Sequence, residues 1–119
     1  MNEKILLKPL LSEAEQEQQH ELFALLTLGI LESMEHGLLS AAGAVQSFFH
    51  AENCLFVCQQ LRSRSAGEVM SRGVQLPDLF AALPPEAAQR EFQRELSKMR
   101  ALCLALLERD AVAGAPLPR

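Results

Sequence analysis

Residues 12–37 read "SEAEQEQQHELFALLTLGILESMEHG", and this stretch decides the fold of the chain. Ser12 and Glu15 have the spacing of a capping box, in which a hydroxyl and a carboxylate each accept a hydrogen bond from a free backbone N–H group. The long apolar run that follows supplies the part of the helix that must be buried. Gly37 is typical of the left-handed residue that ends a helix. The stretch predicts a long first helix over residues 13–36.

A second long helix is predicted near the end of the chain. Pro84 and Pro85 suit the first turn of a helix, which we expect to run from Glu86 to Arg109. Its large apolar residues recur at spacings of four and three along one face, at Phe92, Leu96, Met99, Cys103 and Leu106. Such a narrow stripe either faces the core of its own domain or forms a seam between two helices. The second alternative predicts a homodimer through the C-terminal helix.

Short helices are predicted between the two long ones. Ser40 is placed to cap a helix over "AAGAVQSFFH", and Asn53 is placed to cap another over "CLFVCQQLR". A further capping box, Ser65 with Glu68, predicts a short helix that stops at Gly73, and a separate short helix "PDLFAAL" follows it. Because the connections are short, we expect these helices to pack as a compact array.

The composition also indicates an all-α fold. Apolar residues make up 49% of the chain and are mostly Leu and Ala, while Trp and Tyr are absent. Leu and Ala favour helices, whereas β-branched and aromatic residues favour strands. We expect one all-α domain of four or five helices over residues 1–110, with long first and last helices, and a disordered tail over 111–119. The predicted core is Leu25, Leu26, Leu28, Ile30, Val45, Phe48, Phe56, Phe92, Leu96, Met99 and Leu106.

The charge distribution restricts the class of partner. The formal net charge is −4, and residues 1–60 carry two lysines against eight glutamates. Nucleic-acid binding needs clustered cations, so we expect no nucleic-acid partner. The longest apolar run is too short to cross a bilayer, so we expect no membrane partner either. Three cysteines, an odd number, are typical of a reducing compartment. These features predict a cytoplasmic protein.

Two groups of side chains resemble chemical sites. Glu32, Glu35 and His36 share one edge of the predicted first helix. A cationic histidine in the last turn is favoured by the helix dipole in any protein, so we interpret this group as a helix C-terminus.

His50, Cys54 and Cys58 recur every four residues and would align three soft ligands for zinc or copper on one continuous helix. A cap at Asn53 would interrupt that helix, and only the distant Cys103 is left as a fourth ligand. We therefore interpret the cysteines as structural residues and keep the metal site as an alternative.

Enzyme signatures are missing from the sequence. It contains no G-x-S-x-G elbow and no glycine-rich phosphate loop, and its only aspartates are Asp78 and Asp110. We expect a protein that is not an enzyme and that uses no cofactor.

The stretch "LLTLGILESMEHGLLSAAGAVQSFF" (25–49) resembles a small family of uncharacterised bacterial all-helical proteins. The shared features are a Leu-Gly-Ile-Leu-Glu-Ser segment, a glycine turn and a short helix that starts at Ser, and the resemblance covers residues 21–83. It implies a bacterial cytosolic all-α protein without an established activity. No functional residue is carried over from it.

A small, acidic helical domain without a chemical site is most often a protein-binding module. Within that class we favour a stoichiometric inhibitor or immunity-type protein, which needs only a rigid surface of charge opposite to that of its partner. The predicted surface is acidic and helical, with Glu13, Glu17, Glu21, Glu32 and Glu35. The alternatives are a small adaptor or regulator that uses an apolar groove, and a metal or thiol sensor that uses His50, Cys54 and Cys58.

Overall fold

A computed structural model describes the backbone of residues 3–114 and the side chains of residues 3–108. The described part is all-α and contains no β-strand, which confirms the predicted fold class. It has six α-helices, more than the four or five predicted: α1 (Leu7–Leu11), α2 (Gln16–Glu35), α3 (Ala41–Ser47), α4 (Ala51–Phe56), α5 (Arg64–Ala82) and α6 (Pro85–Gly114). A π-helical turn, Val57–Leu61, continues α4. Within these residues, none of the helices combines the length and the hydrophobicity that a membrane crossing requires.

Helices α2 and α6 form the frame of the molecule. Thr27 on α2 lies beside Cys103 on α6, and Glu35 on α2 accepts a hydrogen bond from Arg100 on α6. Since these contacts run in opposite directions along the two helices, α2 and α6 are antiparallel. Helix α5 also packs against α6, and the short helices α1, α3 and α4 pack against α2, α5 or each other.

The apolar stripe of α6 faces the core of its own domain. Phe92, Leu96, Met99, Cys103 and Leu106 are all at most 6% exposed. The stripe therefore packs in the core of its own domain and does not form a seam between two chains. These five side chains are not available to a second copy, and the reason for expecting a homodimer through the C-terminal helix no longer holds.

Most of the predicted core is confirmed, with one error on α2. Phe48 and Phe56 are buried, as are the α6 residues. Four predicted core residues are partly buried and pack against the core: Leu26, Leu28, Ile30 and Val45. Leu25 is 50% exposed, so its assignment to the core was wrong. A helix with apolar residues all around it cannot bury every side when only part of its circumference meets a neighbour.

The start of the first long helix differs from the prediction. Ser12 is the C-cap of the short helix α1, and its N–H donates to the Lys8 carbonyl. Helix α2 begins at Gln16, where Glu15 is the N-cap and makes no side-chain capping bond. The predicted capping box of Ser12 and Glu15 was therefore wrong, because Ser12 forms the end of α1. The end of the helix was predicted correctly: Gly37 has φ +73°, and its N–H donates to the Met34 carbonyl at 3.1 Å.

The caps of α3 and α4 show one correct and one wrong prediction. Ser40 caps α3 by accepting a hydrogen bond from the Gly43 N–H at 2.9 Å. Helix α4 is capped by His50, whose Nδ1 accepts from the Asn53 N–H at 3.4 Å. Asn53 lies inside α4 and is 1% exposed. Its side chain joins distant parts of the chain instead of capping a helix.

Helix α5 is one continuous helix where two short ones were expected. Ser63, and not Ser65, caps it by accepting from the Ala66 N–H at 3.2 Å. Gly73 does not end the helix but lies inside it, where the ring of Phe49 occupies the space that a Cβ atom would need. Pro77 lies within the helix, between Leu76, which is buried in the core, and Leu79, which packs against it.

The last helix begins at Pro85 and continues to Gly114. It therefore includes residues 111–114, which were assigned to the tail. Residues 115–119 of that predicted tail lie outside the described residues.

Candidate functional site: an acidic helical face

Three of the predicted partner-binding glutamates are grouped at the N-terminal end of α2. Glu13 lies in the connection between α1 and α2, and Glu17 and Glu21 lie one helical turn apart in the first half of α2. All three are exposed. Among the residues that the structure describes, no Lys, Arg or His forms an ion pair with any of them. We call these three residues the acidic face; its negative charge is not compensated within the described chain.

The other two predicted glutamates, Glu32 and Glu35, lie at the opposite end of α2 and are paired. The Nε2 atom of His36 lies 2.7 Å from Glu32 Oε2. Arg100 on α6 donates to Glu35 Oε2 at 2.7 Å and lies 3.8 Å from Glu32. The interpretation of this group as a helix end agrees with these contacts: His36 is the C-cap of α2. The carboxylates of this group are therefore paired with side chains of the protein itself.

Exposed leucines continue the acidic face towards the middle of α2. Leu22 is 39% exposed, and Leu25, one turn beyond Glu21, is 50% exposed. On α6, Leu104 is 44% exposed and lies one turn beyond Arg100, which reaches across to Glu35 of α2. A patch of exposed apolar side chains beside charged ones is typical of a protein-binding surface.

Sequence reasoning missed these leucines, although a signal for them was present. The apolar run in α2 is longer than one face of a helix, and the only other long apolar stripe in the chain is narrow. One narrow stripe cannot cover a helix that is apolar on every side. Some leucines of α2 therefore had to remain at the surface.

The three soft ligands of the alternative metal site are not brought together. His50 Nε2 lies 3.0 Å from the Ile5 carbonyl, and its Nδ1 accepts from the Asn53 N–H. Both ring nitrogens are thus occupied by the backbone. Within the described residues, no group of three or more His, Cys, Asp or Glu side chains is arranged to hold a metal ion. Cys54 and Cys58 both line one cleft, and His50 is not part of its wall.

An apolar groove lies beside the C-terminal end of α2, at the opposite end of this helix from the acidic face. It has a volume of about 520 Å³, and α2, α3, α5 and α6 contribute to its wall, with the apolar residues Met34, Leu39, Pro77, Phe80 and Phe92 among them. Phe80 is 45% exposed, and the neighbouring Leu38 is 82% exposed. This groove is the kind of surface that the adaptor alternative requires.

Comparison of the chain with family models, with curated proteins and with solved structures finds no match. The resemblance of residues 25–49 to a bacterial family is not tested by this result and stays a prediction. Any functional conclusion therefore depends on the geometry of the described residues.

Proposed function

We propose that this chain is a non-enzymatic protein that binds another protein stoichiometrically, as an inhibitor or immunity-type protein does, and that the acidic face is its docking surface. The observation that carries the proposal is the combination of three unpaired carboxylates with exposed leucines on one side of α2. The partner would present basic side chains around an apolar contact.

The distribution of charge along α2 supports this choice of surface. Glu32 and Glu35 already interact with His36 and Arg100, so a partner would have to compete with these contacts. Glu17 and Glu21 have no such contact within the described residues. Carboxylates that are solvated in the free protein can speed association with a basic partner, because charge attracts the partner over a distance of about 10 Å.

The leucines supply the second part of a binding surface. Charged residues at the rim of an interface mainly affect the association rate and the choice of partner, whereas a few desolvated residues near its centre contribute most of the affinity. Leu25 and Leu104 are suited to the central role, since both are about half-exposed. Their burial against a partner would remove apolar surface from water.

A charge-reversal experiment tests the proposal. The protein is used to capture its partner from extracts of cells that produce it, in parallel with two triple variants. In one variant, Glu13, Glu17 and Glu21 are changed to Lys. In the matched control, three exposed acids elsewhere, Glu3, Asp78 and Glu86, are changed to Lys, so the net charge changes by the same amount.

We expect the first variant to lose the partner and the control to retain it. Circular dichroism of both variants tests whether each remains helical. Equal retention by the two variants would place the binding surface elsewhere on the molecule.

The apolar groove beside Phe80 supports a second candidate function, that of an adaptor or regulator. Binding in this groove would be driven by apolar contacts and would change little with salt. Phe80→Ala would then abolish capture while reversal of the acidic face would not. The same capture experiment therefore distinguishes the two candidates.

A further inference from the structure

A cleft between α4 and α5 brings thiols and arginines together. It has a volume of about 490 Å³, and its wall includes Cys54, Cys58, Arg62 and Arg64, with Gly67 and Met70 on the α5 side. The π-helical turn and the left-handed residue Arg62 (φ 53°) reverse the chain here. This reversal places both arginines beside the cysteines. The cleft is open beside Gly67, where a Cβ atom would meet no atom within 4 Å.

The cleft is positively charged, although the chain as a whole has a net charge of −4. Arg62 and Arg64 are exposed. Among the residues that the structure describes, neither guanidinium forms an ion pair with a carboxylate, and no carboxylate lines the cleft. The nearest acid on α5, Glu68, is paired with Arg72 at 2.9 Å. Two unpaired guanidinium groups are well suited to bind carboxylates of a ligand.

The two thiols in the cleft differ in their access to a ligand. Cys58 is exposed. Cys54 is partly buried, its Sγ lies 3.9 Å from the Phe49 carbonyl oxygen, and burial raises its pKa. The third cysteine, Cys103, is fully buried in the core, where burial raises its pKa to about 12. Thiolates are the reactive form of cysteine, so Cys58 is the nucleophile of this set.

We propose that this cleft is a modification site for small anionic disulfides of the oxidised glutathione type, and that Cys58 forms a mixed disulfide there. The carboxylates of the ligand pair with Arg62 and Arg64, which places its sulfur atoms beside Cys58. Because the arginines attract negative charge, the site favours an anionic disulfide over a neutral or cationic disulfide of similar intrinsic reactivity.

The exchange balances without a further oxidant. The thiolate of Cys58 attacks one sulfur of the ligand, the S–S bond of the ligand breaks, and a new S–S bond forms between Cys58 and the attacked half. The other half leaves as a thiolate and takes up the proton that Cys58 had lost. The protein thiol is oxidised and one half of the ligand is reduced.

The mixed disulfide is the expected end product. A second exchange would require Cys54 to displace the bound half and form a disulfide with Cys58. Residues four apart on a helical turn have Cβ atoms about 5–6 Å apart, whereas a disulfide needs about 3.5–4.5 Å. The intact turn therefore holds the two thiols too far apart, and the adduct on Cys58 persists.

Three disulfides of different charge test the proposal on the purified, reduced protein. The probes are oxidised glutathione, which is anionic, cystamine, which is cationic, and hydroxyethyl disulfide, which is neutral. Intact-mass spectrometry follows adduct formation, and peptide mapping locates it. We expect glutathione to react about tenfold faster than cystamine after correction for their intrinsic rates with a free thiol, the effect of two exposed ion pairs. The net charge of the protein alone would favour cystamine.

Variants identify the residues responsible. Cys58→Ser should abolish the fast adduct, whereas Cys54→Ser and Cys103→Ser should keep it. Changing Arg62 and Arg64 to Gln should remove the preference for glutathione and leave the rate with hydroxyethyl disulfide unchanged. A matched variant with Gln at Arg90 and Arg94, two exposed arginines of α6, should keep the preference.

The reaction rate with hydroxyethyl disulfide is the control for access to the Cys58 thiol, and it should be the same in the wild-type protein and in the arginine variants. Equal corrected rates for glutathione and cystamine in the wild-type protein would overturn the proposal. An adduct located on Cys54, or a preference that survives in the Arg62 and Arg64 variant, would overturn it as well.

Discussion

Polar side chains have opposite uses in two regions of this molecule. In the interior, Asn53 accepts from the Leu7 N–H at 2.9 Å and donates to the Ile5 and Phe48 carbonyls, both at 2.8 Å. At the surface, Glu17 and Glu21 on α2 contact no charged partner within the described residues. The Asn53 side chain thus joins α4 to the N-terminus of α1 and the C-terminus of α3, whereas the surface carboxylates remain free to interact with another molecule.

The comparison separates residues that maintain the fold from residues that can bind a partner. Removal of a buried side-chain amide leaves the backbone groups that it paired with unsatisfied, and this destabilises the protein. An exposed carboxylate stays hydrated in the free protein, so its replacement changes stability little. Mutations in the two regions should therefore have opposite signatures: lost stability in the first, and lost binding in the second.

The largest expected effect on stability is that of Asn53→Ala. It removes the acceptor of the buried Leu7 N–H and the donor to the Phe48 carbonyl. We expect the free energy of unfolding in urea to fall by about 2–4 kcal/mol. Gln59→Ala, an exposed change on the following turn, is the control and should have an effect within about 0.5 kcal/mol. A loss below 1 kcal/mol for Asn53→Ala would show that water replaces its hydrogen bonds.

The next largest effect compares two glycines of α5. A Cβ atom at Gly73 would overlap the ring of Phe49, which is 1% exposed, so Gly73→Ala should destabilise the protein by about 1–3 kcal/mol. A Cβ atom at Gly67 meets nothing within 4 Å, so Gly67→Ala should stabilise the helix by about 0.5–1 kcal/mol. Thermal unfolding of both variants measures the difference. Shifts of the same sign would contradict the close packing at Gly73.

The smallest effect on stability concerns the paired end of α2. Arg100→Ala removes the ion pairs with Glu35 and Glu32, which lie at the surface, and should cost about 0.5–1 kcal/mol at low salt and less at high salt. Arg90→Ala is the control, because Arg90 forms no ion pair within the described residues. An equal loss at both salt concentrations would indicate that packing of the arginine stem, and not its charge, is responsible.

Local patterns made much of the fold predictable from the sequence. Ser40, Gly37 and the stripe of α6 act through residues that are close along the chain, so their spacing alone was sufficient. Some errors were local, such as the choice of Ser12 and Ser65 as caps, whereas two others involve distant contacts. Asn53 bonds to Leu7 across 46 residues, and Gly73 is a glycine because of Phe49.

The same distinction applies to the candidate site. The polar first half of α2 predicted exposed acids, and the structure places Glu13, Glu17 and Glu21 at the surface. The sequence could not show that Arg100 pairs with Glu35 across 65 residues. The sequence also could not show which leucines of α2 stay exposed, because their exposure depends on which side of α2 packs against α6.

The most direct test of the central claim is the association rate of the captured partner as a function of salt, for the wild-type protein and for the variant with Lys at Glu13, Glu17 and Glu21. Attraction by unpaired carboxylates predicts a wild-type rate that falls steeply as salt rises. The variant should associate at least about tenfold more slowly at low salt, while its free energy of unfolding stays within about 1 kcal/mol of the wild-type value. An association rate that is independent of salt and equal in the two proteins would contradict the account.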